Sequence, residues 1–445
     1  MLSIKFLGAS SGCVTGSSYL LENDGQQILI DLGLFQGSKE IADLNYKPLD
    51  FNPSKLKGVF LTHAHLDHCG RLPLLMQLGF FGKVFMTAPT RSLLELSLND
   101  TVKIAEETPW KTKLYGYSEV NKLLKLIEIV EYDKQFEIAN FLVTFKNAGH
   151  ILGSASIEIK EKKGEKKIVF SGDIGNTPED IIKPTQYIDS ADYVVMEATY
   201  GDKNHKKENA SLVLNQVINQ TEDRSGVLLI PAFSLERTQE LLHLIYHLKK
   251  ENKIRRDTPF FLDSPMGIQA TLIFKEFKEF YNSELLSHHD DPFSFEGLVI
   301  TESVRDSKDI IKAITPKVII AGSGMMSGGR ILHHAINYLP SSKTALLFVG
   351  YQAEGTLGRK ILEGAGHIQI DKEMVKVRAK IMELEALSSH ADQAKLLTWA
   401  RNIRGVNKFF LTHAENMQRE SFANVLRRNN LKVYLPSLGE TVALI

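Results

Sequence analysis

Cysteine is almost absent from this sequence of 445 residues, in which only Cys13 and Cys69 occur. Two cysteines cannot build the disulfide framework of a secreted protein, so a reducing cytoplasm is the expected location. Long apolar runs are missing as well, because no stretch approaches the roughly 20 apolar residues that cross a bilayer. The sequence therefore predicts a cytoplasmic protein without a membrane partner.

A net charge of either sign is also missing, since 53 basic residues are balanced by 53 acidic ones. A polyanionic partner would need a local basic surface, because the global charge offers no attraction. What is present is an ordinary globular composition, with 43% apolar and 24% charged residues. A chain of this length has enough residues for two or three domains with filled cores.

The first part of the chain consists of short apolar segments closed by Gly, Asn or Asp, a pattern typical of β-strands. Strands are predicted in SIKFLG, SSYLLEN, QQILIDLG, GVFLTH and KVFMT, and helices in TRSLLELSLND and YSEVNKLLKLIE. From about residue 206 strand and helix alternate, and GVLLIPAF, TPFFLDSP, KVIIAGSGMM and TALLFVGYQ contain nearly continuous apolar runs. Such strands indicate a parallel sheet covered on both faces.

The domain organisation predicted from this change of pattern is discontinuous. Residues 206–365 form an α/β segment inserted into a domain built from residues 1–205 and 366–445. After about residue 366 strand pairs return, followed by helices in DQAKLLTWARNI and NMQRESFANVLRRN and strands in KFFLTH and KVYLP. Both ends of the chain are therefore expected in one domain.

Histidine is concentrated in LTHAHLDHCG at residues 61–70, although the whole chain has 14 histidines. The strand GVFLT ends there, so His63 and His65 leave it on the same side, and the next turn carries Asp67 and His68. Imidazole and carboxylate groups together suit zinc or a similar divalent ion. A catalytic zinc usually keeps three protein ligands and an open position, so four ligand groups in one loop indicate two ions.

Further residues of the same type occupy the ends of other predicted strands. His150 ends FLVTFKNAGH, Asp173 ends KIVFSGD, and His413 ends KFFLTH. Each alone is equally well explained as a loop histidine or a helix-capping aspartate. Together they repeat one pattern, in which an apolar strand delivers one metal-binding side chain at its tip.

These motifs resemble those of the metallo-β-lactamase superfamily. THAHLDH is similar to its HxHxDH signature, and Asp31, His150 and Asp173 resemble its other motifs in order. The resemblance implies an α/β fold, the αββα sandwich of that superfamily, in which two sheets are packed face to face between helices.

A second set of motifs resembles the β-CASP subfamily. MEATYGD, SSHAD and THAE are similar to its three further motifs and are carried here by Glu197, His390 and His413. IPAFSLERTQELL, DSPM, IIAGSGMMSGGRILHH and GYQAEGTLGR also look like internal segments of that subfamily. The resemblance covers essentially the whole chain and implies that residues 206–365 are the inserted β-CASP domain. RNA-processing members are most similar, such as bacterial and archaeal homologues of the cleavage-and-polyadenylation endonuclease subunit.

The resemblance implies a phosphodiesterase site with two Zn²⁺ ions per chain. One ion would be held by His63, His65 and His150, the other by Asp67, His68 and His413, with Asp173 bridging both. The ions would share a hydroxide that attacks the phosphate in line. Asp31 would orient a ligating histidine rather than bind metal.

The leaving 3′ oxygen needs a proton, and the resemblance implies that His390 is the general acid. Glu197 would orient His390 and keep it protonated, and Asp67 counts with these two among the catalytic residues. An ordinary surface glutamate is the alternative for Glu197, but the residue follows the apolar run DYVVM, where an unpaired charge is costly. Cleavage would leave a 5′ phosphate and a 3′ hydroxyl.

Contacts to substrate phosphates are predicted in two places. AGSGMMSGGR is a Gly-rich turn that opens the helix RILHHAIN, and backbone N–H groups at a helix start suit an anion. Ser323, Gly324 and Arg330 belong to this segment, which in the similar family faces the metal cleft. Ser389 is a further candidate. Close packing of the glycines is the alternative.

A local basic cleft would supply the attraction for RNA that the neutral chain lacks. Arg237, Arg330 and Arg359 are the candidates, and ordinary surface charge is the alternative.

Three functions fit the resemblance: a ribonuclease, a DNA-repair type of nuclease, and an RNA-processing scaffold subunit with little activity. The scaffold is disfavoured because all seven ligand positions are filled. Histidine at position 413 favours RNA, since DNA-repair members usually have valine there. The preferred interpretation is a zinc-dependent ribonuclease acting on single-stranded RNA. Endonuclease or 5′-exonuclease action, the RNA target, cleavage of DNA, and a homodimer as the oligomeric state are left open.

Overall fold

The computed structural model describes residues 2–108, 112–164, 166–206, 208–287 and 290–445. The strands are β1 Leu2–Phe6, β2 Tyr19–Asn23, β3 Gln26–Ile30, β4 Leu56–Phe60, β5 Lys83–Met86, β6 Ile127–Ile129, β7 Phe136–Ile138, β8 Phe141–Asn147, β9 Ala155–Glu161, β10 Lys167–Phe170, β11 Tyr193–Glu197, β12 Val227–Pro231, β13 Phe260–Asp263, β14 Leu298–Ile300, β15 Lys317–Ala321, β16 Thr344–Phe348, β17 His367–Ile370, β18 Glu373–Lys376, β19 Lys380–Glu383, β20 Lys408–Thr412, β21 Val433–Tyr434 and β22 Thr441–Ala443.

The α-helices are α1 Lys39–Ala42, α2 Leu66–Cys69, α3 Leu74–Gln77, α4 Ala88–Glu107, α5 Tyr117–Leu124, α6 Ala210–Asp223, α7 Arg237–Lys250, α8 Pro265–Glu276, α9 Ser283–Ser287, α10 Val304–Asp309, α11 Arg330–Tyr338, α12 Leu357–Leu362, α13 Gln393–Asn402 and α14 Asn416–Arg428. The strands and helices expected from the apolar patterns are confirmed by this assignment. None of the helices in the described part of the chain is both long and apolar enough for a bilayer crossing.

Two compact units divide the chain, and the first comprises Met1–Asn204 and Ser389–Ile445. Its strands form two seven-stranded sheets, in the orders β22-β1-β2-β3-β4-β5-β6 and β21-β20-β11-β10-β9-β8-β7. Side chains from both sheets meet in one core, which includes Phe6, Phe60, Phe145 and Phe170. Helices α13 and α14 cover the outer face of the second sheet with Trp399 and other apolar side chains. The expected sandwich fold is thus confirmed.

Strands in the second sheet have apolar side chains on both faces because both faces are covered. Ile168 and Phe170 of β10 enter the core between the sheets, whereas Val169 packs toward α13 and α14. Successive side chains of a strand point to opposite faces, so a strand covered on both sides needs apolar residues at every position. The same rule holds in β11, where Val195 and Val194 take opposite sides.

The second unit is His205–Ser388. It contains a six-stranded sheet in the order β14-β13-β15-β12-β16-β19, and all of its neighbouring strands are parallel. A parallel sheet with buried strands is what the continuous apolar runs predicted. Residues 366–388, which the sequence analysis assigned to the other domain, pack with this unit. The reason is that β19 pairs with β16, and Ile368, Ile370 and Val375 enter the core of the second unit.

Candidate metal centre

The seven residues predicted as metal ligands come together within the first unit, although they lie on loops after different strands. The segment after β4, which includes the short helix α2, carries four of them, and the loops after β8, β10 and β20 carry one each: His63, His65, Asp67, His68, His150, Asp173 and His413. β10, β11 and β20 are parallel neighbours, so their carboxyl ends meet at one edge of the sheet. This edge also receives Glu197, the last residue of β11.

Four of these residues direct ligand atoms toward a common point. Nδ1 of His65 lies 3.1 Å from Nε2 of His63 and 3.1 Å from Nε2 of His150. Oδ2 of Asp173 lies 3.4 Å from the His63 nitrogen and 3.6 Å from the His150 nitrogen. Around a tetrahedral zinc with bonds of about 2.0–2.1 Å, ligand atoms lie about 3.3–3.4 Å apart. These four residues, which we call the first cage, match that spacing.

A second cage is formed by Asp67, His68, His413 and the other oxygen of Asp173. Nε2 of His413 lies 3.1 Å from Nε2 of His68 and 3.2 Å from Oδ2 of Asp67. Oδ1 of Asp173 lies 3.3 Å from the His68 nitrogen and 3.7 Å from the His413 nitrogen. The two oxygens of Asp173 therefore face different cages.

The polar atoms of the cages are not satisfied by the protein itself. Oδ1 of Asp173 is buried and makes no hydrogen bond to any described residue. Ring nitrogens face one another at 3.1 Å in both cages. They cannot all be paired as hydrogen-bond donor and acceptor, because a neutral imidazole has only one nitrogen of each kind. Buried polar groups without partners are costly unless a cation lies between them. The donor set therefore fits a pair of divalent cations with Asp173 between them.

Hydrogen bonds on the far side of the rings fix which nitrogen is free to bind. Nδ1 of His68 lies 2.8 Å from Oδ2 of Asp31, and Nδ1 of His150 lies 3.1 Å from the backbone oxygen of Ser389. Both acceptors hold the proton on Nδ1 and leave the lone pair of Nε2 for a metal. The structure thus places Asp31 behind His68, where the sequence analysis expected an orienting carboxylate.

Thr199 orients the ring of His413 by a hydrogen bond of the same kind. Its Oγ1 donates to the backbone oxygen of His413 at 3.1 Å and lies 3.1 Å from Nδ1 of the same ring. Because the hydroxyl proton is used on the carbonyl, the oxygen can only accept from Nδ1–H. Sequence reasoning missed this residue, because nothing about a threonine two positions after Glu197 in MEATYGD indicates this contact.

The charges of the histidines differ between the cages. Burial lowers the pKa of His63 and His150, and that of His65 to about 3, so these rings are neutral and offer lone pairs. Burial also opposes charge on His68 and His413, but neighbouring carboxylates, with Asp173 first among them, outweigh it and raise the pKa of both rings. A cation would displace these protons, since a ligating nitrogen must be deprotonated.

His390 and Glu197 form a pair beside the cages. Nδ1 of His390 lies 3.5 Å from both carboxylate oxygens of Glu197 and 3.9 Å from Oδ2 of Asp173. The backbone N–H of Ile174 donates to Oε1 of Glu197 at 2.6 Å and holds the carboxylate in place. Burial lowers the pKa of His390, but the surrounding carboxylates, with Glu197 contributing most, outweigh this effect and raise it to about 9. The ring is therefore protonated near neutral pH, and 22% of its side chain is exposed.

Two glycines allow the loops of the site to approach closely. A Cβ added at Gly33 would lie 1.6 Å from the backbone oxygen of Asp67, and one at Gly175 would lie 1.6 Å from that of Gly149. No side chain can be accommodated at such distances without moving the backbone. Gly33 therefore supports the loop of Asp67 behind the second cage, and Gly175 supports the loop that leads into His150.

The residues predicted to contact phosphate are distributed over both units. Ser389 belongs to the first unit, whereas Ser323, Gly324 and Arg330 belong to the second. Gly329 precedes α11, so the Gly-rich turn does open the helix as predicted. Oγ of Ser323 accepts from the backbone N–H of Ser327 at 2.9 Å. Phosphate binding by these residues stays a prediction.

The three arginines expected to form a basic cleft are all paired with carboxylates. Their partners in order of sequence are Glu240 for Arg237, Asp263 for Arg330 and Glu363 for Arg359. Arg330 also donates to the backbone oxygens of Thr301 and Glu302 at 2.9 and 2.6 Å. Its hydrogen bonds therefore fix the loop after β14.

Three family models match the chain in succession. The metallo-β-lactamase superfamily matches residues 11–211, the Beta-Casp domain residues 238–361, and the Zn-dependent metallo-hydrolase RNA specificity domain residues 374–436.

Curated relatives are similar over almost the whole chain. A ribonuclease of Thermus thermophilus is 35% identical over 434 residues, which is 96% of this chain and 97% of the relative. An RNase J-like protein of Methanocaldococcus jannaschii is 31% identical over 99% of both chains. The RNase aCSPSF2 of Saccharolobus solfataricus is 32% identical over 99% of this chain and 85% of its own.

Among solved structures, a protein of unknown function from Enterococcus faecalis V583 aligns over 99% of both chains with a TM-score of 0.56. Its sequence identity is 12%, so this likeness concerns the fold alone.

Proposed function

The chain belongs to the β-CASP branch of the metallo-β-lactamase superfamily and is a metal-dependent hydrolase, and on this premise we propose that it is a zinc-dependent ribonuclease. Its substrate in this proposal is single-stranded RNA, which it hydrolyses to a 5′ phosphate and a 3′ hydroxyl. The convergence of seven ligand-type residues on two cages that share Asp173 carries the proposal. The ribonuclease names of relatives similar over nearly the whole chain support RNA as the substrate class.

Zinc is the metal that the donor set favours, because five of the seven ligand-type residues are histidines and the other two are aspartates. Two such cations would lower the pKa of a water molecule between them and neutralise charge on the phosphate. His63, His65 and His150 would hold one, Asp67, His68 and His413 the other, and Asp173 both.

The chain itself supplies the proton for the leaving group. His390 is protonated near neutral pH and partly exposed, so it can donate to the 3′ oxygen of the departing nucleotide. Glu197 holds the ring by its Nδ1, and in this proposal Nε2 is the nitrogen that donates to the substrate. The same contact stabilises the charged ring before the transfer, which is why Glu197 belongs to the catalytic set.

The proposal also includes a location and an oligomeric state. Cys13 and Cys69 are both free and buried, which supports a reducing cytoplasm. A homodimer stays a prediction.

End-labelled linear RNA and circular single-stranded RNA, each incubated with the purified zinc-loaded protein, test the function. Cleavage of the circle identifies an endonuclease, and cleavage of the linear form alone, from its 5′ end, identifies a 5′ exonuclease. If neither RNA is cut, the ribonuclease proposal is wrong. DNA of the same sequence is the parallel substrate, and faster cleavage of DNA would overturn the RNA preference.

A further inference from the structure

Three basic side chains are exposed in the segment that runs from the end of β18 to the start of β19 in the second unit: Lys376, Arg378 and Lys380. Val375 and Ala379 beside them are buried in the core of that unit, and Val377 packs against it. The segment therefore keeps its apolar side chains in the core and its basic ones in solvent.

Two more basic residues precede neighbouring strands of the sheet. Ala345 of β16 pairs with Lys380 of β19, so Lys343, which directly precedes β16, lies at the same end of these two strands as Lys380. Arg224 directly follows helix α6 and precedes β12. β12 pairs with the edge of β16 that is opposite to β19. We call these five residues the basic strip: Arg224, Lys343, Lys376, Arg378 and Lys380.

Part of the basic strip lines a shallow depression of the surface. Arg224, Lys343 and Lys380 contribute charges to its wall, and Gln220 and Thr221 contribute uncharged polar groups. Nζ of Lys380 donates to Oε1 of Gln220 at 3.1 Å, which holds its charge at the rim. The wall can therefore offer both charge and hydrogen bonds to an anion.

The strip has no carboxylate partner within the ranges that the structure describes. None of its five side chains takes part in an ion pair there, whereas Arg237, Arg330 and Arg359 are all paired. The acidic residues within three positions of the strip in sequence are Glu222, which is buried, and the exposed Asp223, Glu373 and Glu383. Five exposed bases against three exposed acids give a locally positive surface on a chain of zero net charge.

The strip lies at the opposite end of the sheet from the Gly-rich turn. Lys343 and Arg224 precede β16 and β12, and Lys380 begins β19, so these bases are at the amino ends of parallel strands. Ser323 and Gly324 follow β15, which is parallel to β12, at the carboxyl ends. The strip is therefore separate from the phosphate contacts predicted from the sequence.

We propose that the basic strip binds the sugar–phosphate backbone of single-stranded RNA at nucleotides away from the bond that is cut. This rests on the proposed function, for which it supplies the local positive surface that a neutral chain needs. Five bases from three segments of the second unit can contact several phosphates of one strand, which favours a polyanionic backbone as the partner. The segment matched by the RNA specificity domain contains three of the five residues.

The test measures RNA binding by fluorescence anisotropy at several salt concentrations, with His390→Ala present in every protein to prevent cleavage. The strip variant carries Lys343→Gln, Arg378→Gln and Lys380→Gln. Each lost phosphate contact lowers the slope of log K against log salt by about 0.7, so we expect a slope shallower by about 2 and weaker binding at low salt.

Two controls separate the strip from charge in general and from misfolding. Lys57→Gln, Lys122→Gln and Lys125→Gln change the net charge equally at exposed positions of the first unit and should keep the parental slope. Lys343→Arg, Arg378→Lys and Lys380→Arg preserve the charge and should also keep it. An unchanged slope in the strip variant, or an equal loss in the first control, would overturn the proposal. Failure of the proposed ribonuclease function is a different outcome from failure of the strip proposal. In that case the protein without substitutions would leave RNA uncut.

Discussion

Nδ1 of His68 lies 2.8 Å from Oδ2 of Asp31, and this contact directs the opposite ring nitrogen into the second cage. Asp31 is fixed in turn by Thr62, whose backbone N–H and hydroxyl donate to its two oxygens, each at 2.8 Å. A carboxylate that cannot rotate therefore decides which nitrogen of His68 carries the proton.

Asp31→Asn should weaken metal binding by about 10–100-fold without removing any ligand, because the amide no longer holds the His68 proton as a carboxylate does. Competition against a chelator, followed by metal analysis, measures the affinity. Asp50→Asn, a change of the same charge at an exposed position, is the control and should bind metal normally. Equal affinity of the two variants would show that Asp31 does not orient the ligand.

Asp173→Ala should empty both cages, since its two oxygens face different ligand sets. His65→Ala removes a ligand from the first cage alone and should reduce the content from about two metal ions per chain toward one. Metal analysis of both purified variants makes the comparison. An Asp173→Ala protein that keeps the same metal content as His65→Ala would contradict a shared carboxylate.

Thr199→Val removes the hydroxyl that accepts from Nδ1 of His413 and keeps the size of the side chain. We expect a loss of metal affinity of about 10–100-fold, as for other groups that orient ligands. Thr199→Ser retains the hydroxyl and should stay close to the parent protein. If valine and serine behave alike, the hydrogen bond has no role in the site.

His390→Ala should reduce RNA cleavage by about 10²–10⁴-fold while both metal ions are retained, because a general acid contributes a factor of that size. His367→Ala, at an exposed histidine of β17, is the matched control and should cleave normally. Rates and metal content are measured on the same preparations. Parental rates in His390→Ala would exclude the residue as the proton donor.

Asp263→Asn should lower the free energy of unfolding near neutral pH by about 3–5 kcal/mol, because it breaks a buried charge network. Burial raises the pKa of Asp263, but hydrogen bonds from His334, Ser307, Thr301 and Arg330 outweigh it and lower the pKa from 3.8 to about 2.

A depressed carboxyl pKa adds stability above its unfolded value, and this stability is lost as the pH falls toward 2. The difference in unfolding free energy between the parent and Asp263→Asn should therefore shrink between about pH 4 and pH 2. Denaturant titrations at several pH values measure it. A difference that is constant with pH would contradict the assignment.

Sequence patterns predicted the strands and the approach of His63, His150 and His413 because local periodicity and strand-end placement are encoded in neighbouring residues. The end of the inserted segment, in contrast, could not be located from the sequence pattern. β17 and β18 form a hairpin like those of the first domain, and only the tertiary pairing of β19 with β16 ties the region to the second unit.

Hydrogen-bond partners such as Thr199 and the Ser389 carbonyl could not be predicted for a related reason. A threonine or a backbone oxygen has no sequence signature of its function, which depends on distances set by the whole fold. The same limit applied to the basic strip, since its charges come from segments before β12, before β16 and around β19, and only the sheet order brings them side by side.

Asp67 and His413 are 346 positions apart in the chain and 3.2 Å apart in the fold. During translation the second cage cannot close until the ribosome has released β20, so a nascent or prematurely terminated chain has no complete catalytic centre.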